Sequence, residues 1–246
     1  IFTSQDGINW TRKRIGKDVW FRGVTYGNGL FIAVMDNNTI LISKDGVQWT
    51  KPKAKISNVK YVKDYFIATG TVKVRKDGTY YIDIYTSKDG INWNKQSSNF
   101  HYFFNDFAYG NGLFVGVGAE FFEEGDMIGD TTYSDYIYVS KDGKVWNKRK
   151  IGTKAKLEGI TYGDGLFVAV GQELREVPNF DSVILTSKDG INWKKQNVGK
   201  DIWLTGITYA NGLFVVVGWK DNDKNNPDLI LISRDGEKWT RAKIVE

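Results

Sequence analysis

The sequence predicts an all-β protein of the β-propeller class, built from four-stranded blades, and three observations support this prediction. A Ser-x-Asp-Gly-x-x-Trp segment occurs six times in 246 residues, with its aspartates 39 to 53 residues apart. A second phrase, typified by Gly-Ile-Thr-Tyr-Gly-Asp-Gly-Leu-Phe-Val-Ala-Val-Gly, recurs between these segments. No window shows the 3.6-residue apolar period of a helix. A repeat of ~40–50 residues made of short strands is typical of a propeller.

Each repeat contains four predicted strands, which we name A to D. Strand A is the Gly-Ile-Thr-Tyr part, and the Gly-Asn-Gly that follows supplies the positive φ angles of a tight hairpin. Strand B is apolar at nearly every position, as expected for a strand covered on both faces. Strand C leads into the Asp-Gly turn, and strand D follows the Trp. The A–B phrase occupies residues 23–34, 59–70, 107–118, 159–171 and 206–218.

These strands predict one propeller domain over residues 1–246, with an incomplete first repeat. Five A–D sets are complete, whereas residues 1–12 form a C–D pair with no A–B pair before it. A six-bladed ring needs an A–B pair encoded upstream of Ile1, and the start in mid-pattern favours this reading. A five-bladed ring stays open but leaves residues 1–12 unexplained. Either ring protects the sheet edges.

The recurring segments, called boxes below, are predicted to be structural. An Asp beside Gly in a hairpin accepts hydrogen bonds from the N–H groups of its own turn, and the Ser hydroxyl can do the same. The Trp supplies an apolar wedge between blades. A catalytic residue is needed once, whereas these recur in every unit. The residues are Asp6, Asp45, Asp89, Asp142, Asp189 and Asp235, with Trp10, Trp49, Trp93, Trp146, Trp193 and Trp239.

The boxes resemble the Asp-box (BNR) repeat of sialidase-like propellers, and the A–B phrase is similar to BNR-like repeats of bacterial and phage surface proteins. The resemblance covers essentially the whole chain and implies that the box is structural and lies away from the functional face. One departure is that the family pattern places a residue between Asp and Gly, which are adjacent in this chain. The turn is therefore expected to differ.

Function is expected at the B–C connections, because they vary in length on a nearly uniform scaffold. They span residues 35–39, 71–83, 119–135, 172–182 and 219–228. These segments hold fifteen acidic and six basic residues, whereas the whole chain has a net charge of +5. The sequence predicts an acidic rim on a basic body. Simple solvation of long loops is the alternative.

Aromatic and basic residues open the A strands at the same end, six positions before the strand A tyrosine or its equivalent. Such side chains around a channel mouth suit stacking on a sugar ring or holding an anion, although they would also serve to plug the channel. The candidate ligand-binding residues are Trp20, Arg22, Tyr102, Phe103, Lys156, Glu158, Trp203 and Trp219.

Several classes of function are disfavoured by composition. The chain has no Cys and one histidine, His101, so disulfides, zinc-thiolate sites and His-rich metal sites are excluded. Residues 221–228 begin like a calcium loop, but Asn226 and Ile232 stand where an EF-hand needs Gly and Glu. An irregular calcium site there stays open, and no metal or cofactor is predicted. Scattered basic residues argue against nucleic acid, and no apolar run predicts membrane insertion.

The sequence favours a non-enzymatic binding module. The sialidase resemblance implies an arginine triad with a tyrosine nucleophile, but only Arg22, Arg75 and Arg175 lie near the predicted functional face. Glu158 is the one acid at its strand A position. We predict a secreted or cell-surface adhesion-type protein that binds a carbohydrate or a protein partner. The alternatives are an assembly module of a larger surface or phage particle, and a glycoside hydrolase.

Overall fold

The computed structural model describes residues 1–4, 9–16, 19–121, 133–174, 180–196, 198, 202–220 and 228–242, and within these ranges the chain is all-β without a helix. No described segment forms a helix that is long and apolar enough to cross a membrane. The strands are β1 (Phe2–Thr3), β2 (Thr11–Arg12), β3 (Phe21–Gly27), β4 (Leu30–Met35), β5 (Ile40–Ser43), β6 (Asn58–Val62), β7 (Tyr65–Thr69), β8 (Lys73–Val74), β9 (Tyr80–Ser87), β10 (Asn94–Phe100), β11 (Tyr102–Gly110), β12 (Leu113–Glu120), β13 (Ser134–Ser140), β14 (Asn147–Gly163), β15 (Leu166–Leu174), β16 (Phe180–Ser187), β17 (Lys194–Gln196), β18 (Ile202–Ala210), β19 (Leu213–Lys220), β20 (Asp228–Ser233) and β21 (Thr240–Arg241).

The chain divides into two compact units. The first comprises Ile1–Lys73 and Ile82–Ser98, and the second comprises Val74–Tyr81 and Asn99–Glu246. The first unit holds the pair β1–β2, the blade β3–β4–β5, and most of the blade β6–β7–β9–β10. The second holds three further blades, which we number third to fifth: β11–β12–β13–β14, β14–β15–β16–β17 and β18–β19–β20–β21.

The A–B hairpins have the predicted turns. Asn28, Asn111, Asp164 and Asn211 have φ angles of 47–51°, and each is followed by a glycine at positive φ. Two successive positive φ angles define the type I′ turn, whose twist matches that of the flanking strands. Strand β14 serves both as strand D of the third blade and as strand A of the fourth, with Gly152 at a φ of 78° between the two parts.

The strand B residues bury both of their faces, which explains their continuous apolar character. In the second unit, Phe167 and Ala169 pack with Val115 of the third blade. The alternate residues Val168 and Val170 pack with the fifth blade. The fourth blade is therefore packed on one face against the third blade and on the other against the fifth.

Neighbouring blades also meet at their hairpins. A Cβ atom on Gly163 would lie 2.1 Å from the ring of Tyr209 in the next blade, and one on Gly27 would lie 1.9 Å from the ring of Tyr61. Asn111 donates a hydrogen bond to the carbonyl of Lys188 at 2.7 Å, which joins a hairpin to the next box. The hairpin position must therefore be a glycine, because the tyrosine ring of the next blade occupies the space where a side chain would lie.

Five of the six boxes have the same bonding, and Asp6 lies outside the described residues. The Ser hydroxyl donates to the Asp carboxylate at 2.9–3.0 Å. The same carboxylate oxygen accepts from the N–H groups two and three residues later at 2.7–3.0 Å. The Trp indole donates to the box glycine carbonyl at 2.8–3.3 Å. The backbone donors hold the pKa of each described box aspartate below its usual value.

The strands extend further towards the B–C end than the sequence predicts. Asp83, Glu173 and Asp181 were expected in solvated loops, but they lie in β9, β15 and β16 and are buried. Lysines account for two of these three, because Lys73 and Lys95 pair with Asp83, and Lys195 pairs with Glu173. These carboxylates belong to the blade interior and not to an acidic rim.

Candidate functional site

The B–C end of the blades, which we call the rim, is shaped by a β-bulge that recurs in strand A. The register shifts between Phe21 and Gly23 in the first blade, and at the same place in three others. A bulge leaves one residue without a cross-strand partner and re-aims its side chain. The bulge residues are Arg22, Asn105, Glu158 and Thr205.

A strand B glycine makes room for the bulge in the second unit. A Cβ atom on Gly118, Gly171 or Gly218 would lie 1.8–2.1 Å from the carbonyl oxygen of the residue two positions before the bulge. No side chain fits at that distance. The final glycine of the A–B phrase therefore permits the bulge at the rim, whereas the Gly-Asn-Gly segment forms the turn at the opposite, hairpin end.

Glu158 is the centre of a polar cluster in the second unit. Asn105 donates to the carbonyl of Leu157 at 2.9 Å and to Glu158 Oε2 at 3.2 Å. Lys156 Nζ lies 3.8 Å from Glu158 Oε1. Burial raises the pKa of Glu158, and Lys156 opposes the rise. Burial and the charge of Glu158 together raise the pKa of Tyr133. The bulges thus bring a carboxylate, an ammonium group and an amide together.

Two tryptophans form a stacked pair at the rim of the fifth blade. Trp203 and Trp219 lie opposite each other across β18 and β19. Their ring centroids are 5.3 Å apart with an angle of 10° between the planes. Trp219 and its strand neighbour Val217 are exposed. The pair presents a rigid aromatic surface to solvent beside the bulge at Thr205.

Tyr102 was expected to bind ligand, and the structure corrects this. Its side chain is completely buried among Phe104 and Tyr138. Its hydroxyl donates to the carbonyl of Tyr136 at 3.2 Å, and burial raises its pKa well above the ordinary value. Alternate residues of a strand face opposite sides, so Tyr102 points into the blade while Phe103 is half-buried and meets Phe121.

The remaining candidates have different surroundings. Trp20 is 74% exposed in the first unit. The guanidinium of Arg22 donates to the carbonyl of Asp36 at 3.1 Å. His101 donates from Nδ1 to the carbonyl of Tyr80 at 2.9 Å and packs near Phe121. The calcium-like segment spans residues 221–228, and its residues 221–227 lie outside the described residues.

Sequence reasoning missed two members of the Glu158 cluster. Asn105 was not among the candidates, although it stands at the repeat position of Glu158, and the structure shows that both are bulge residues. Tyr133 has no counterpart in the other repeats, so no signal in the sequence identifies it.

Comparison with known proteins supports the fold class. No family model matches the chain, and no curated protein is similar to it in sequence. A structure of YCF48 bound to D1 peptide is similar with a TM-score of 0.57 and 13% identity, covering 96% of this chain and 71% of the other. Trypanosoma rangeli sialidase is similar with a TM-score of 0.55 and 15% identity, over 84% of this chain and 41% of the enzyme. An ancestral GH74 enzyme gives a TM-score of 0.58 and 14% identity, over 91% and 31%.

These three solved structures are β-propellers, so the predicted fold class is confirmed. At 13–15% identity the similarity shows the fold alone. The same fold carries a peptide-bound protein and two enzymes. The function of this chain must therefore be argued from its own side chains.

Proposed function

We propose that the protein is a non-catalytic, secreted or cell-surface binding module that holds a carbohydrate at the rim of the second unit. The observation that carries the proposal is the stacked Trp203–Trp219 pair with Trp219 exposed. An indole face offers a large apolar surface at little cost in side-chain entropy. The C–H face of a pyranose ring is complementary to such a surface.

The Glu158 cluster supplies the polar half of such a site. Sugar hydroxyls both donate and accept hydrogen bonds, and Glu158, Lys156 and Asn105 offer both kinds of partner. Glu158 and Lys156 lie on β14, whose A part neighbours β18 of the fifth blade, and Asn105 lies on β11. Aromatic surface with a few placed polar groups is the usual composition of a small-ligand site.

Glycoside hydrolysis is the alternative role for Glu158. A hydrolase of the common type needs two carboxyl groups on either side of the scissile bond. The groups that contact Glu158 are the amide of Asn105 and the ammonium group of Lys156. A carboxylate held between such donors suits the positioning of sugar hydroxyls. Turnover that disappears in Glu158→Gln would contradict this part of the proposal.

A protein ligand is the second candidate. The observation behind it is that the similar YCF48 structure is bound to a peptide. An exposed Trp is also a common anchor at protein interfaces. A protein bound at this rim would support a binding module for a protein partner instead of sugar recognition.

A glycan array followed by calorimetry tests the proposal. Trp219→Ala removes the exposed indole and should weaken sugar binding about tenfold or more, whereas Trp219→Phe should keep part of the affinity. Trp20→Ala is the matched control, because it removes an exposed Trp from the other unit. Unchanged binding by Trp219→Ala, at an unchanged melting temperature, would contradict the proposal. Absence of any glycan binding would favour a protein partner.

A further inference from the structure

The first blade exposes an apolar face that the other blades bury. Val24 is 67% exposed, whereas its repeat equivalents Val59 and Ile160 are 7% and 0% exposed. Tyr26 is 57% exposed. Phe31 is half-buried, whereas its equivalent Phe167 is completely buried. All of these residues lie on the side that faces the preceding blade, as Val59 and Ile160 do in their clusters.

In the second, fourth and fifth blades this face is covered by the strand B and hairpin of the blade before it. Val59 packs against Ile32 and Val34 of the first blade. The ring of Tyr61 rests on Gly27, where a Cβ atom would be 1.9 Å away. The strand A tyrosine therefore has a defined partner, the glycine of a preceding hairpin. Tyr26 is the first such tyrosine in the chain.

The box of the first blade shows the same difference. A Cβ atom on Gly90, Gly190 or Gly236 would lie 2.6–3.0 Å from a leucine at the start of the preceding strand B. A Cβ atom on Gly46 would instead meet Thr3 at 3.3 Å and Phe31 at 3.9 Å. The first blade thus has the strand A valine, the strand A tyrosine and the box glycine that a preceding A–B hairpin contacts in other blades.

The other half of this face is already covered by residues of the C–D pair at 1–12 and of the segment after it. Ile1, Ile15 and Val19 pack against Ala33 and Met35 of the first blade. Strands β1 and β2 pair with each other as strands C and D of a repeat do. One half of the face is thus covered by the C–D strands of a preceding blade, and the other half, which is bare, is where the A–B strands of that blade would pack.

We propose that the bare face, formed by Phe21, Val24, Tyr26 and Phe31, is the docking surface for an A–B β-hairpin of this repeat type. The hairpin presents a glycine to Tyr26 and aliphatic strand B side chains to Val24 and Phe31. Together with β1 and β2 it forms a four-stranded blade. This inference is independent of the proposed sugar site, which lies in the other unit.

A fusion tests the proposal. A copy of residues 21–39 is added directly before Ile1, so that the native connection of residues 36–39 leads into β1. Burying the bare face should raise the melting temperature by about 5 °C. Two matched variants carry the test. Gly27→Val in the added copy places a side chain where the ring of the native Tyr26 must pack. Val24→Lys in the native chain changes the docking face itself, at a position that is exposed when no hairpin is present.

Both variants should lose the rise in melting temperature, and the unfused Val24→Lys chain should melt as the unfused parent does. A fusion that melts like the parent would overturn the proposal. An equal rise in all three fusions would also overturn it, because the hairpin would then stabilise the chain elsewhere. Sedimentation of the unfused chain adds a further test. A concentration-dependent dimer that Val24→Lys abolishes would show that a second copy covers this face and not a hairpin.

Discussion

The two ends of each blade use the same repeat in opposite ways. At the hairpin end, five described boxes repeat one set of hydrogen bonds with nearly identical residues. At the rim end, the same bulge occurs in four blades, but its residue differs in each: Arg22, Asn105, Glu158 and Thr205. Where both backbone and side chain repeat, the residue serves the fold. Where the backbone repeats and the side chain changes, the position is free to carry function.

The largest expected effect comes from filling the space under a bulge. In Gly171→Ala the added Cβ atom would lie 2.1 Å from the carbonyl oxygen of Lys156. Because this distance is far shorter than a van der Waals contact, the substitution should destabilise the protein by about 3 kcal/mol or more. Gly23→Ala is the matched control, because a Cβ atom there meets nothing within 4 Å. Urea unfolding of both variants checks the prediction, and equal midpoints would show that the bulge does not depend on the glycine.

A somewhat smaller effect is expected at the buried carboxylate of the first unit. Asp83 is completely buried and pairs with Lys73 and with Lys95 at 3.1 Å. Lys73→Met with Lys95→Met leaves that charge unpaired and should cost about 3 kcal/mol. Asp83→Val should cost less, because the equivalent residue in the fourth blade is the buried Val183. Thermal unfolding compares the two, and the reverse order would contradict this account of the site.

The box aspartates should show a moderate, pH-dependent effect. Asp189→Ala removes acceptors from Ser187, Ile191 and Asn192, and should cost about 1–2 kcal/mol at pH 7. The pKa of Asp189 is lowered in the folded state, so its contribution is present above its unfolded pKa of about 4 and is lost as the pH falls below that value. The gap to the parent in chemical unfolding should be narrower at pH 3 than at pH 7. Lys188→Ala, in the same turn, should show no such gap.

The smallest effect is expected at Glu158. Its pKa is raised in the folded state, so the folded protein loses stability as the pH rises from about 4.3 through the folded pKa. Glu158→Gln should therefore be as stable as the parent or slightly more stable at pH 7, with the difference vanishing below pH 4. A carbon-detected NMR titration should place the Glu158 midpoint above that of an exposed Glu, and higher still in Lys156→Met. A midpoint below the ordinary value would contradict the burial argument.

The sequence predicts the parts of this fold that depend on local residues. The hairpins at Asn28 and Asn111 and the box turns follow from residues within one turn, and their repetition predicts the propeller. The burial of Asp83 depends on Lys73 and Lys95, which are ten or more residues away, so composition placed it in an acidic loop. Tyr102 and Phe103 face opposite sides of one strand, and only the position of the bulge determines which of them is buried.

The central claim is that ligand binds at the variable rim and that the uniform boxes serve the fold. Hydrogen–deuterium exchange with and without a glycan identified on the array tests it most directly. The account predicts ligand-dependent protection in residues 202–220 and 155–160, with box residues 187–193 unchanged. Protection confined to 187–193, with the rim unchanged, would contradict it.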